Sequence, residues 1–208
     1  MIASAIAPAL PPWLDLGGTA VFALSGALLA ARMRQTFVTV AFFALLTGVG
    51  GGSLRDVLIG VPAFWLNDPW VAPIILAVSL LVWFTPRRWW EGHLLEWADA
   101  FGMAVFATLG AAKALALGAA PLPAVVLGII TGCAGGIIRD IIAGQPSILM
   151  RPELYVTAAA LAAGLFAALM SIGLPQTPAM AIAALAGFAL RGAAMLWRIE
   201  LPAYSRER

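Results

Sequence analysis

Shifted by 84 residues, the chain aligns on itself without a gap. Trp13-x-Asp15 falls on Trp97-x-Asp99, and Gly18-x-Ala20-Val21-Phe22-Ala23 on Gly102-x-Ala104-Val105-Phe106-Ala107. Gly26-Ala27 falls on Gly110-Ala111 and Thr47-Gly48 on Thr131-Gly132. Gly51-Gly52-x-x-Arg55-Asp56 falls on Gly135-Gly136-x-x-Arg139-Asp140, and Gly60-x-Pro62 on Gly144-x-Pro146. Eighteen of the fifty positions from 13 to 62 equal their partners, Ala30 with Ala114 among them. Chance at this composition gives about four or five, so the duplication is real. Glycines and charged residues are among the identities, so shared hydrophobicity does not account for it.

The solvent around the two copies follows from composition. Of 208 residues, 62% are hydrophobic and 11% charged, with mean hydropathy +0.98. A water-soluble domain carries about a quarter charged residues. Seven segments are long and apolar enough to read as membrane spans, which need about 20 such residues: 14–31, 37–59, 70–85, 97–117, 122–143, 154–172 and 178–197. The expected fold is an all-α membrane protein. Trp13, Trp65, Trp70, Trp83, Trp89, Trp90, Trp97 and Trp197 all fall near span ends. Indole settles at the headgroup level, so they read as an interfacial belt, with packing as the competing role for one or two.

Three spans per copy is an odd number. The second copy must therefore enter the membrane from the opposite side, which makes an inverted repeat with a pseudo-two-fold axis in the membrane plane. The expected units are 13–90 and 97–173, with 178–197 as an additional seventh helix. Arg32, Arg34, Arg87, Arg88, Arg151, Arg198, Arg206 and Arg208 follow odd-numbered spans. The positive-inside rule places those ends in the cytoplasm and the N-terminus outside. Met1 to Pro12 hold no Lys or Arg, so no signal peptide is expected. The net charge of +2 gives no reason to expect nucleic acid, and the single Cys133 excludes an intrachain disulfide.

Chemistry concentrates in spans 2 and 5. Span 2 carries Thr47, Gly50, Gly51, Gly52, Ser53, Arg55 and Asp56; span 5 carries Thr131, Gly135, Gly136, Arg139 and Asp140. Consecutive glycines weaken a helix by ~1 kcal/mol each, permitting a kink or an unwound turn. Freed carbonyls in a wet path are ligands for a monovalent cation. The competing account is close helix packing through small residues. At ~1.5 Å per residue, Gly50 lies ~20 Å beyond Phe37, so the two glycine runs flank the midplane.

Adjacent helical residues do not face each other, so Arg55 and Arg139 should look beyond Asp56 and Asp140 for partners. Repeat symmetry supplies Asp15 for Arg55 and Asp99 for Arg139. Asp56 and Asp140 are then free to face a pore mouth. Lys113 and Arg191 read as snorkelling side chains, and His93 as a solvated loop residue. No zinc-site, nucleophile-elbow or phosphate-loop pattern occurs, so neither an enzyme nor a cofactor is expected.

The doubled Gly-Gly-x-x-Arg-Asp motif in spans 2 and 5 of a seven-span chain resembles bacterial members of the trimeric intracellular cation channel family. The likeness covers about Trp13 to Trp197. It implies a homotrimer in the bacterial inner membrane, with one pore per protomer lined by helices 2 and 5 and permeable to K⁺ or Na⁺, K⁺ foremost. Carried over, the pore positions are Gly50 to Ser53 and Gly135 and Gly136, flanked by Arg55, Asp56, Arg139 and Asp140. Ala134 stands where the first copy has Gly50, which breaks strict symmetry at the ion site. Related bacterial sequences also carry a glycine-transporter label. A carrier for a small zwitterion and a scaffold without transport are the competing functions, and the sequence does not choose among them.

Overall fold

A computed structural model describes residues 12–202, apart from Glu91 and Arg151. The expectations for Arg151, Arg206 and Arg208 lie outside the described residues, as do those for the side chains of Trp13 and Arg87. The described chain folds into seven α-helices: α1 Pro12–Arg32, α2 Phe37–Ile59, α3 Val71–Phe84, α4 Leu94–Ala116, α5 Pro121–Ile142, α6 Val156–Ser171 and α7 Gln176–Trp197. Each lies within three residues of the expected span at both ends. The boundaries have local causes. Thr36 caps α2 by accepting from the Thr39 backbone N–H, and Pro121 opens α5, where its missing N–H is harmless. α2, α4, α5 and α7 are long and apolar enough to cross a membrane; α3 and α6 are apolar but shorter, at 14 and 16 residues.

Two buried clusters form the interior. One joins α1, α2 and α3 around Leu28, Val40, Phe43 and Ile75; the other joins α4 to α7 around Met103, Phe106, Phe166 and Ala183. The seventh helix packs on α4 and α6, so it extends the second cluster. Phe22 of α1 stacks on Phe106 of α4 with ring centroids 5.2 Å apart, joining the two.

Contacts across this junction are reciprocal. A Cβ on Gly18 would strike the Phe106 ring, and one on Gly102 the Phe22 ring. Within each unit the packing repeats too: Gly48 approaches the Thr19 carbonyl, and its partner Gly132 the Met103 carbonyl. The Gly18–Phe106 and Gly102–Phe22 contacts, in which i touches j′ and i′ touches j, have the reciprocal form of an isologous interface.

Tryptophans divide by environment. Trp65, Trp70, Trp83, Trp89 and Trp197 are exposed. Trp90 and Trp97 are partly buried: Trp90 Nε1 donates to Thr85 Oγ1 at 2.6 Å, and Trp97 packs edge-on against Phe188. Packing therefore claims these two.

Candidate functional site

The Thr-Gly segments of α2 and α5 cross at the junction. A Cβ on Gly51 would lie well inside contact distance of the Thr131 carbonyl oxygen, and one on Gly135 would lie 2.7 Å from the Thr47 carbonyl oxygen. Only a glycine on each helix lets the backbones meet here. Both helices stay hydrogen-bonded through the glycine runs, so of the two forms expected there, a kink or an unwound turn, the unwound turn is not formed. The physical reason is the crossing itself: the opposite backbone fills the space that a missing side chain would leave. Gly50 faces Ile138, Gly52 the ring of Phe64, and Gly136 both Tyr155 Oη and Asp99 Oδ1. Ser53 accepts from Trp65 Nε1 at 2.9 Å. Thr131 Oγ1 donates to the Leu127 carbonyl at 2.6 Å, whereas Thr47 Oγ1 and Thr19 Oγ1 are buried without a partner.

A charged cluster closes each end of the crossing. At the α5 end, Arg139 Nη1 lies 2.6 Å from Asp99 Oδ1 and also donates to Ser25 Oγ. Its Nε and Nη2 donate to Asp140 Oδ1 at 2.9 and 2.8 Å. At the α2 end, Arg55 Nε donates to Asp56 Oδ1 at 2.8 Å, and Asp15 Oδ1 lies 3.7 Å from Arg55 Nη1. The second oxygen of each neighbouring carboxylate is also held. Asp56 Oδ2 accepts the Phe64 backbone N–H at 2.8 Å, and Asp140 Oδ2 the Ile148 backbone N–H at 3.0 Å. Short 3₁₀ turns, Phe64–Leu66 and Ile148–Met150, bring those N–H groups back.

Three expectations are corrected. Asp56 and Asp140 are not free to face a pore mouth; both are buried and bound by the preceding arginine. The rule that adjacent helical residues do not meet concerns Cβ positions, and a long guanidinium stem folds back far enough to defeat it. Lys113 does not snorkel. Its Nζ donates to Asp56 Oδ1 at 2.8 Å, reaching from α4 to α2. Arg191 does not snorkel either. It is buried, bridges Glu153 at 2.5 Å, and lies over the Tyr155 ring at 5.4 Å.

The clusters differ in charge. Asp99, Asp140 and Arg139 set one guanidinium against two carboxylates, formally −1. Asp15, Asp56, Arg55 and Lys113 set two cations against two carboxylates, formally neutral. A cavity of about 400 Å³ opens at the α5 end, with Asp99, Arg139 and Asp140 among its lining and Glu96, Glu153 and Arg191 around them. Ser25, Glu153 and Tyr155 escaped sequence reasoning, and Lys113 was read without its partner, because contacts across α-helices leave no periodic trace. Arg191 carried a usable signal: it is the lone charge inside an apolar helix, which is costly without a partner.

Four long apolar helices and buried Arg–Asp clusters define a polytopic α-helical membrane protein. The family model described as glycine transporter matches twice, over residues 12–87 and 96–171. A UPF0126 membrane protein of Vibrio cholerae is 36% identical over 92% of this chain and 82% of its own length. The UPF0126 inner membrane protein YadS of Escherichia coli K12 is 38% identical over 93% and 95%. Among solved structures, the TRIC trimeric intracellular cation channel orthologue from Rhodobacter sphaeroides superposes with a TM-score of 0.83 at 35% identity, covering 90% of this chain and 97% of that one. A second TRIC cation channel gives 0.83 at 28% identity over 94% and 98%. The chain belongs to this family, that of the trimeric intracellular cation channels.

Proposed function

We propose that the protein is a passive channel for monovalent cations, K⁺ foremost, in the bacterial inner membrane. It assembles as a homotrimer with one pore in each protomer. Residues 13–90 and 97–173 act as two oppositely inserted three-span units and 178–197 as a seventh span, with the N-terminus outside and the C-terminus cytoplasmic. The observation that carries the reading is the reciprocal α2/α5 crossing with a charged cluster at each end, in a chain similar over nine-tenths of its length to solved cation channels.

Where the Gly51 and Thr131 backbones touch, no ion fits between them. Parting α2 from α5 would uncover the Thr47 and Thr131 carbonyls beside the unpartnered Thr47 and Thr19 hydroxyls. Neutral oxygens of this kind replace the hydration shell of a weakly hydrated monovalent cation. The arginines do not forbid cation passage, since each is matched by carboxylate. The excess negative charge at the α5 end favours cation entry from the cavity.

Lys113 supplies the balancing cation at the other end. Lys113→Met should raise unitary K⁺ conductance about fivefold, from ~1 kcal/mol of repulsion removed in a wet lumen. Unchanged conductance would take the Asp56 cluster off the path. The zwitterion carrier remains the second reading, favoured by Arg and Asp groups sharing one cavity. Recording purified protein in a planar bilayer with symmetric KCl separates the two. Unitary current steps are expected; saturable glycine uptake without conductance would replace the channel by the carrier.

A further inference from the structure

All the helix ends but that of α3, where Thr85 is extended, close through the left-handed backbone region, and the residue there is usually glycine: Gly60 after α2, Gly118 after α4, Gly144 after α5 and Gly173 after α6. Arg34 after α1 (φ 56°) and Arg198 after α7 (φ 53°) are the only non-glycine residues at positive φ among the described residues. The repeat makes a controlled comparison, because the partner of Arg34 is Gly118. The two turns are the same. Gln35 N bonds Ala30 O and Arg34 N bonds Ala31 O; 84 residues on, Ala119 N bonds Ala114 O and Gly118 N bonds Leu115 O. Glycine takes this conformation freely, and an L side chain is disfavoured in it. The turn therefore gives no reason for an arginine. Neither do side-chain contacts: Arg34 is exposed and makes no side-chain hydrogen bond or ion pair among the described residues. Arg32 beside it is already held by the Gly92 carbonyl at 2.7 Å and by Glu96.

A groove of about 430 Å³ opens next to Arg34, between the C-terminal ends of α1 and α3. Leu28 and Val82 line it together with Trp83, Trp90, Arg32 and Arg34. Leu28 and Val82 are buried, whereas Trp83 and Arg34 are exposed. Aliphatic depth under a cationic, indole-bearing rim matches one lipid molecule, with a chain inside and a phosphate outside. We infer that this groove binds an anionic phospholipid, with Arg34 as the contact to its phosphate headgroup. A cation at a helix C-terminus also complements the helix dipole, a role that needs no lipid.

Arg34→Gly separates the roles, since it relaxes the turn. Thermal unfolding of the full-length protein in neutral detergent is compared with added phosphatidylglycerol, phosphatidylcholine or inorganic phosphate. Phosphatidylglycerol should raise the midpoint by about 5 °C, and the other two should not. Without lipid, Arg34→Gly should unfold no lower than the parent. It should lose most of the phosphatidylglycerol shift, and native mass spectra should lose the retained lipid mass. An undiminished shift in Arg34→Gly overturns the inference, as does equal stabilisation by phosphatidylcholine. A shift reproduced by phosphate alone would make it a free-anion site. A lower lipid-free midpoint with the shift intact would leave only the dipole role.

Discussion

Gly51→Ala is expected to destabilise the folded protein by about 3 kcal/mol, the upper end for overpacking a closely fitted contact. The added methyl would fall on the Thr131 carbonyl oxygen, which belongs to helical backbone and cannot rotate aside. Either α2 and α5 separate along their crossing or one of them bends. Gly135→Ala should act in the same direction and cost less, because its methyl would lie 2.7 Å from the Thr47 oxygen. The chain carries its own control. Gly164, inside α6, has open space where a Cβ would go, so Gly164→Ala should stabilise by about 0.5–1 kcal/mol. Unfolding midpoints of the three variants in one detergent decide the matter. Equal midpoints for Gly51→Ala and Gly164→Ala would show that the crossing is looser than described. Bulkier Gly51→Leu should also cut K⁺ flux into liposomes, since the same contact occupies the proposed path.

Arg139→Gln should be the most damaging of the single charge removals, at about 3–5 kcal/mol. It strands two buried carboxylates, Asp99 and Asp140, with no second cation in contact among the described residues. Arg55→Gln should cost less, because Lys113 still holds Asp56. Adding Asp99→Asn to Arg139→Gln should recover part of the loss, as expected when two mutations remove the same contact. The matching cycle of Asp15→Asn with Arg55→Gln should show weaker coupling. At 3.7 Å, Asp15 and Arg55 form an ion pair without a hydrogen bond, whereas Asp99 and Arg139 share one at 2.6 Å. Equal coupling in both cycles would mean that the two ends are electrostatically equivalent, and that the partnership of Lys113 with Asp56 counts for nothing.

The helices and their order were legible in the sequence because their cause is local. Runs of apolar residues of bilayer length, broken by Pro, Gly and charged clusters, leave little choice of secondary structure in a medium without water. The duplication was legible too, and with it the pairing of Asp15 with Arg55 and Asp99 with Arg139 by position. Family membership followed from the doubled motif, which ties glycines to an Arg–Asp pair at fixed spacing in both copies.

What the glycines do was decided by tertiary structure. In isolation Gly51 and Gly135 are weak points in a helix, and a kink or an unwound turn is the natural expectation. Packed against Thr131 and Thr47, each becomes the place where another backbone can sit, and both helices stay whole. The same holds for the charges. Lys113 and Arg191 lie within reach of water by sequence position, so snorkelling is the local solution. Only the fold reveals Asp56 and Glu153 as nearer partners, reached across the bundle from α4 and α7. A sequence records which residues share a helix face. Which faces meet, and at what depth, depends on how all seven helices pack at once, and a buried charge takes its partner from that arrangement.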